Sequence, residues 1–548
     1  QMFRENKDHL QEDLFNNLYT MDSRLVEKLK KSWAAFFYEH IFCKIDENLF
    51  APLYCNDNGR PNFPVNILMG LDLIKEIRGY TDEVLFDEYA YNLQVSYALG
   101  LRTLGERYFA PRTLYEFRAR LYNYSLEHPE EADLIFAQFE KLTEHFIEVA
   151  KLNTLEARMD STQIMSNIKL AGRLSLAYDV LVNGIKALPE KLLNDTLKLF
   201  LKSDYKTQFL YKLKGKDSSS RIQNLIEHCA EILQLVQNYP ELKANPAIKL
   251  TKRFLTEQAT FNKEQNRWIA KNNKDISPKS LQSAYDTDAT YRKKNGKKHV
   301  GYVLNLTETC GDENPVQMVT HYNLAPNTTS DVELLKKVLP ELKNKGVKDL
   351  YTDGAYYSSE IVEKSKTQGI EIHYTDMTGR KKSNNKFPYN AFEIENKEKI
   401  LRCPADQEPI RTAFKKKNKI LSAHFNRNIC EKCPLKENCR VKFQKKSTVI
   451  RVSQKTLLTE EARLKFADKE KRQKATSKRA AIEGTNSSLK RAQGLGKLNV
   501  RGIVKSNLAV GAKIIAHNFR QLTRFFNGDI REKAKKPLKL NQGIPITI

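Results

Sequence analysis

The chain has 548 residues, with 92 Lys and Arg against 66 Asp and Glu, a formal net charge of +26. Its 40% apolar content supports ordinary buried cores, and 22 Gly with 18 Pro are too few for a disordered or collagen-like chain. Its longest apolar stretch, 507–516, is far short of the roughly 20 residues of a membrane span, and residues 1–11 are charged where a secretory signal would be apolar, so no membrane role is expected.

The charge is unevenly spread. Residues 1–150 hold 16 basic and 25 acidic side chains, a net of −9, whereas residues 411–505 hold 27 and 7, a net of +20. Clustered Lys and Arg of this density neutralise phosphates and release counterions, which points to nucleic acid. A solvated basic face is the alternative.

In chain order, residues 1–150 read as an N-terminal helical DNA-binding domain. Leu71, Ile74 and Ile77, then Leu85, Tyr89 and Leu93, recur at helical spacing. Gly59-Arg60-Pro61 and Gly79-Tyr80-Thr81 punctuate the run, and Pro111 starts a helix that carries Arg112, Arg118 and Arg120. Short helices in this arrangement can hold a helix-turn-helix, and Arg112 and Arg118 are its candidate DNA contacts. A helical bundle without DNA contact fits the local acidity equally well.

A short strand is predicted near 155–162, ending at Met159-Asp160-Ser161-Thr162. The pattern then turns helical, with Leu197, Leu201, Ile222, Leu225, Ile226 and Cys229 on stripes, and 181–285 is assigned to a helical insertion. Strands return at 299–309 and 316–322. Ser330 and Glu333 form a capping box for a helix with Leu334, Leu335, Val338, Leu339 and Leu342 on one face, and Gly346 ends it. Further on come a strand at 347–352 that leads into Asp353-Gly354-Ala355, a helix at 360–367 and a strand at 370–375. This order predicts a mixed α/β core assembled from 151–180, 286–380 and 456–530. Residues 381–455 read as a small β-rich cysteine insert, and 531–548 as a loose basic tail.

Asp160 and Asp353 are each expected at the C-terminal end of a strand, the edge where α/β sheets bind ligands. Turn formation is the ordinary explanation of either residue alone. Arg479, Glu483 and Lys490 fall near one helical face, and Glu483 is the only acid between Lys471 and Gly528. A surface ion pair Arg479–Glu483 is the ordinary reading. An isolated carboxylate among many cations also suits a metal.

The cysteines add a second motif. Cys43, Cys55, Cys229 and Cys310 are scattered, but Cys403 is followed by Cys430-x2-Cys433-x5-Cys439. In a reducing compartment this spacing reads as a structural Zn²⁺ site, which requires the four sulfurs to gather tetrahedrally, with His424 as a reserve ligand. Reduced thiols in a small β domain are the alternative. Between Arg411 and Arg451 stand 13 Lys and Arg against two acids, so Lys415, Lys416 and Lys417 are candidate DNA contacts.

Arg158-Met159-Asp160-Ser161-Thr162, Tyr351-Thr352-Asp353-Gly354-Ala355-Tyr356 and Arg479-x3-Glu483-x6-Lys490 together resemble the motifs of DDE-type bacterial insertion-sequence transposases, which have an RNase H-like catalytic core. Thr476 stands where that family usually has a Tyr three residues before the Arg. Gly59-Arg60-Pro61, Arg112-Thr113-Leu114 and Phe117-Arg118 are similar to the family's N-terminal domain, and Ala516-His517-Asn518-Phe519 to the helix that closes its core. The resemblance implies an α/β fold of an RNase H-like mixed sheet flanked by helices. It implies Asp160, Asp353 and Glu483 as catalytic ligands of Mg²⁺ or Mn²⁺, with Arg479 and Lys490 on the DNA phosphates. The implied partners are double-stranded DNA, as terminal inverted repeats and target, and a second copy of the chain in a homodimer on DNA. The implied location is the bacterial cytoplasm, on the nucleoid when bound. The alternatives are a catalytically inactive, transposase-derived DNA-binding regulator and an RNase H-like nuclease without strand transfer.

Overall fold

Six strands form a mixed central sheet: β1 (Glu156–Met165), β2 (Thr290–Lys294), β3 (Lys297–Thr309), β4 (Val319–Pro326), β5 (Asp349–Asp353) and β6 (Glu371–Thr375). In the computed structural model the described residues are 1–11, 16–57, 59–131, 133–169, 172–211, 218–294, 296–375, 386–445 and 447–527. The tail at 531–548 lies outside them, as do 376–380 of the core and 381–385 of the insert. The order across the sheet is β2-β3-β1-β5-β6, and β4 shares the outer edge of β3 with β2. β1 is antiparallel to β3 along its whole length, but parallel to β5 only over Glu156–Arg158. β5 and β6 are parallel throughout. This is the mixed α/β, RNase H-like arrangement that the motif order predicts. The edge strand β2 is an addition: its Lys-rich sequence carries little apolar alternation.

Helices α1 (Val65–Arg78), α2 (Asp82–Tyr91), α3 (Pro111–Glu127) and α4 (Leu134–Ala150) precede the sheet. Helices α5 (Asp331–Asn344) and α6 (Ser359–Gln368) lie within it in sequence, and α7 (Lys469–Ala492) and α8 (Ile503–Phe526) follow. The Ser330–Glu333 capping box forms at the start of α5. Leu335, Val338, Leu339 and Leu342 of that helix bury one sheet face with Ala157, Met159, Leu350 and Ile361.

The opposite face carries the N-terminal helices. Tyr302, Leu304 and Leu306 of β3 share one continuous hydrophobic core with the N-terminal helices, with Ile482 and Leu489 of α7 and with Val510, Ile514 and Phe519 of α8. Residues 1–150 thus pack on the core. A helical apolar stripe shows that a face is buried but not against what. Asn518 locks the join: its Oδ1 accepts from Val319 N at 3.0 Å, and its Nδ2 donates to Val319 O at 2.8 Å. Gly511 permits the close crossing of α8, since a Cβ there would stand 2.4 Å from the Tyr322 hydroxyl.

The helical insertion has its own core, from Leu176 to Leu281, and its first helix spans Arg173–Lys186. It therefore begins before the expected boundary at 181. The cysteine insert holds a four-stranded sheet, Arg411–Lys415, Ile420–Phe425, Thr448–Ser453 and Lys442–Phe443 in that order, whose Phe425 and Val452 pack with Phe392 and Ile400. It is tied to the rest by Lys419–Glu363 at 3.0 Å and Lys397–Glu461 at 2.7 Å. Among the described residues no helix is long and apolar enough to cross a membrane.

Candidate active site

Period-two alternation puts Arg158, Asp160 and Thr162 on the face of β1 that α7 covers. Arg158 is buried and pairs with Glu308, its direct cross-strand neighbour, at 2.7 Å. The other carboxylate oxygen of Glu308 accepts from Thr485 Oγ1 of α7 at 2.7 Å. Arg158 also donates to the Lys478 carbonyl at 3.3 Å. Burial pushes the Glu308 carboxyl up, against the pull of Arg158 and Thr485. Lys478, itself buried, reaches Glu156 at 2.5 Å and Asp312 at 3.2 Å. These contacts fix the position and rotation of α7 over the sheet, and with them the site side chains of that helix.

Asp160 lies mid-strand in β1, not at its end. It nonetheless lies beyond the last parallel pair, Arg158↔Tyr351, where β1 parts from β5 while staying on β3. Two residues past Tyr351, Asp353 ends β5 and caps the following turn, accepting from Ala355 N at 3.2 Å. The two carboxylates thus flank the point where the parallel strands separate. Burial pushes the Asp160 carboxyl up; Arg479 and Lys294 pull it down, and Asp353 adds to the rise.

Glu483 meets Asp160 across a cleft of about 430 Å³, which Ser161, Thr162, Asn486, Ser487, Lys490 and Arg491 also line. Asn486 Nδ2 donates to Asp160 Oδ2 at 3.1 Å. Arg479 links the third carboxylate to this cleft: its guanidinium pairs with Glu483 and lies 3.9 Å from Asp353. Lys490 is half-buried, and burial with nearby Lys294 pushes its ammonium down while Asp160 counters this. Sequence reasoning missed Asn486 and Lys294. The first was signalled by its helical spacing from Glu483 and Lys490; Lys294 had no signal.

Asp160 and Glu483 share the cleft, Asp353 reaches it only through Arg479, and the three do not close to a tight cluster. Among the described residues, the one trio of His, Cys, Asp and Glu side chains with ligand atoms all within 4.8 Å is Asp349, Glu371 and His373, at the other end of β5 and β6. There His373 Nε2 is 2.7 Å from Asp349 Oδ1, and its ring stacks on Tyr351.

Cys403, Cys430, Cys433 and Cys439 are all free and partly buried, and they line one cavity of about 590 Å³. Cys433 N donates to Cys430 O at 3.4 Å, and Gln407 N donates to Cys403 Sγ at 3.4 Å, so three of the cysteines sit in two tight turns. Among the described residues no three of these sulfurs come within 4.8 Å of one another. This is wider than the tetrahedral spacing the sequence predicts. His424 turns to Ser447 Oγ at 3.1 Å and does not line that cavity.

The expected DNA contacts divide. Lys415, Lys416 and Lys417 sit at the exposed tip of the hairpin between Arg411–Lys415 and Ile420–Phe425. Arg112 is exposed and pairs with Glu116 at 2.7 Å. Arg118 turns inward instead. It pairs with Asp72 at 2.5 Å and with Asp82 at 3.0 Å, tying α3 to α1 and α2, so its donors are spent inside the protein. The spacing of Arg118 in the sequence gave no sign of these partners, because both lie on other helices.

Two family models match the chain: a transposase DDE domain over residues 402–523 and a transposase domain (DUF772) over residues 25–120. The first spans Glu483, Arg479, Lys490 and all four clustered cysteines; the second spans Arg112 and Arg118. No curated protein and no solved structure matches.

Proposed function

We propose, this chain being an insertion-sequence DDE transposase by its two family domains, that it cuts DNA at the ends of its element and joins the freed 3′ ends to target DNA. The observation that carries this reading is the gathering of Asp160, Glu483 and Lys490 on one cleft, with Asp353 joined to it through Arg479. Carboxylate oxygens are hard donors, so the set fits Mg²⁺ or Mn²⁺. The position of Arg479 supports the fit, since a cation already stands between Asp353 and Glu483. Asp160, Asp353 and Glu483 would hold the metal, which when bound activates the attacking oxygen and offsets charge on the leaving one.

The chain's own groups position the DNA. Lys490 presents its ammonium from the cleft wall to a phosphodiester oxygen, and Arg479 offers a guanidinium fork to a second one. Water attacks first, and the released 3′-OH attacks target DNA next, so no protein nucleophile is needed. The hairpin of Lys415, Lys416 and Lys417 follows the duplex backbone, Arg112 contacts the element end, and two copies act together on paired ends. Cys403, Cys430, Cys433 and Cys439, whose thiols suit Zn²⁺, would hold that ion as a structural staple of the insert.

The test uses the full chain, Mn²⁺, and a supercoiled plasmid carrying the native flanks of this reading frame. Wild type should nick at the ends and form joined products. D160N, D353N and E483Q should each lower nicking by at least about 10²–10³-fold, the scale of losing one charge-stabilising group, while gel-shift binding persists. Binding without nicking in wild type would favour the regulator reading, and nicking without joining the nuclease reading.

A further inference from the structure

Asn486 stands on α7 three residues after Glu483 and four before Lys490, a spacing that places the three on one helix face. Its side chain is only 8% exposed, yet it lines the same cleft as Asp160, Glu483 and Lys490. Nδ2 donates to Asp160 Oδ2 at 3.1 Å, which fixes the plane of the amide. On the other branch of that plane, Oδ1 is buried and accepts a hydrogen bond from no group. Buried polar atoms are nearly always paired, and an exception that lines a cleft is open to a ligand or ion. The Asp160 carboxylate beside it is itself an acceptor and cannot serve.

An amide oxygen is a hard, neutral donor of the kind divalent cations take together with carboxylates. Unlike Asp353 and Glu483, it forms no pair with Arg479, so its donor capacity is not competed for. We propose that Asn486 Oδ1 is a further oxygen ligand of the divalent cation bound at Asp160 and Glu483, while Nδ2 holds Asp160 in its ligating orientation. This inference rests on the metal-dependent reading given above. It makes the cation site one of three carboxylates and one amide, with the amide contributing no charge.

The experiment is equilibrium Mn²⁺ binding to the full chain, read from the free-ion signal in electron paramagnetic resonance, with thermal melts as the folding control. N486L has nearly the same shape but neither donor nor acceptor, and should bind Mn²⁺ about 10-fold or more weakly, with its melt unchanged. N486D keeps an oxygen at this place but gives up the donation to Asp160, and should bind at least as tightly as wild type. Wild-type affinity in N486L overturns the inference. An equal loss in N486D and N486L also overturns it, since only the donation to Asp160 would then matter. Should N486L fail to fold, N486A, which also has neither donor nor acceptor, is read in the same way. D160N and E483Q separate the two levels: if they abolish binding and N486L does not weaken it, only this inference fails; if they leave binding unchanged, the metal reading fails and this inference with it.

Discussion

The N-terminal helices and the cysteine insert use their cations in opposite ways. In the first, Arg118 is shared by Asp72 and Asp82, and Lys75 joins Asp82 at 2.6 Å. Arg102 lies over the rings of Tyr38 and Tyr97, and Arg120 over Tyr54. In the second, Lys415, Lys416 and Lys417 are exposed, and among the described residues none of them enters an ion pair. The charge a region offers to DNA is the charge left over after its internal pairing. A net of −9 over 1–150 leaves almost none, whereas +20 over 411–505 leaves a field. Arg118, Lys75, Arg102 and Arg120 of the first region are spent on the fold, whereas Lys415, Lys416 and Lys417 of the second are left exposed.

The largest effect that can break this contrast is expected at Arg118. Removing it in R118A leaves two partly buried carboxylates without their main partner. The protein should lose roughly 3 kcal/mol in urea unfolding, at the low end for a broken buried pair because the side chain is not fully enclosed. Affinity for unrelated duplex, measured on folded protein, should not change. Weaker DNA binding at unchanged stability would instead make Arg118 a contact and cancel the contrast.

Acid should act on the core that α8 shares with the N-terminal helices. His517 is buried in α8, and burial, aided by Arg524 and Arg520, holds its pKa down to about 4. An unfolded histidine titrates near 6.5, so the unfolded chain takes the proton first. The stability due to neutral His517 is complete above about pH 6.5 and is lost as pH falls toward about 4, by roughly 3 kcal/mol in all. H517Q should show a flatter decline in that window. An equal decline in both proteins would place the acid-sensitive group elsewhere.

Local chemistry in the sequence made much of this visible. The capping box of α5, the Gly79 stop of α1 and the Asp353-Gly354 turn are each set by neighbours a few residues apart. Glu483 stood out because no other acid lies near it in the chain. What stayed hidden depends on partners far apart in sequence. Arg158 and Glu308 are 150 residues apart, and the inward turn of Arg118 needs α1 and α2 beside α3. Asp160 was expected at a strand end because a short polar run follows it; pairing with β3 carries the strand on to Met165. The sharing of one core by residues 1–150 and α8 likewise has no local mark, since amphipathic helices do not name their partners.

The finest discrimination lies in salt dependence, where the hairpin lysines and Arg112 should differ. Replacing Lys415, Lys416 and Lys417 together by Gln removes three exposed charges that support no part of the fold, so melting should stay within about 0.5 kcal/mol of wild type. If all three lie on phosphates, the slope of log affinity against log salt should flatten by about 2.7, at about 0.9 per contact. The loss should be the same for element ends and for unrelated duplex, because phosphate contacts position the protein without reading sequence. R112Q removes one exposed charge and a surface pair with Glu116 worth a few tenths of a kcal/mol. Its slope should change by at most about 0.9, and its effect should appear as reduced preference for the element end over unrelated duplex. Should the triple lysine variant lose that preference while R112Q keeps it, sequence reading belongs to the insert, and the N-terminal helices serve the fold alone.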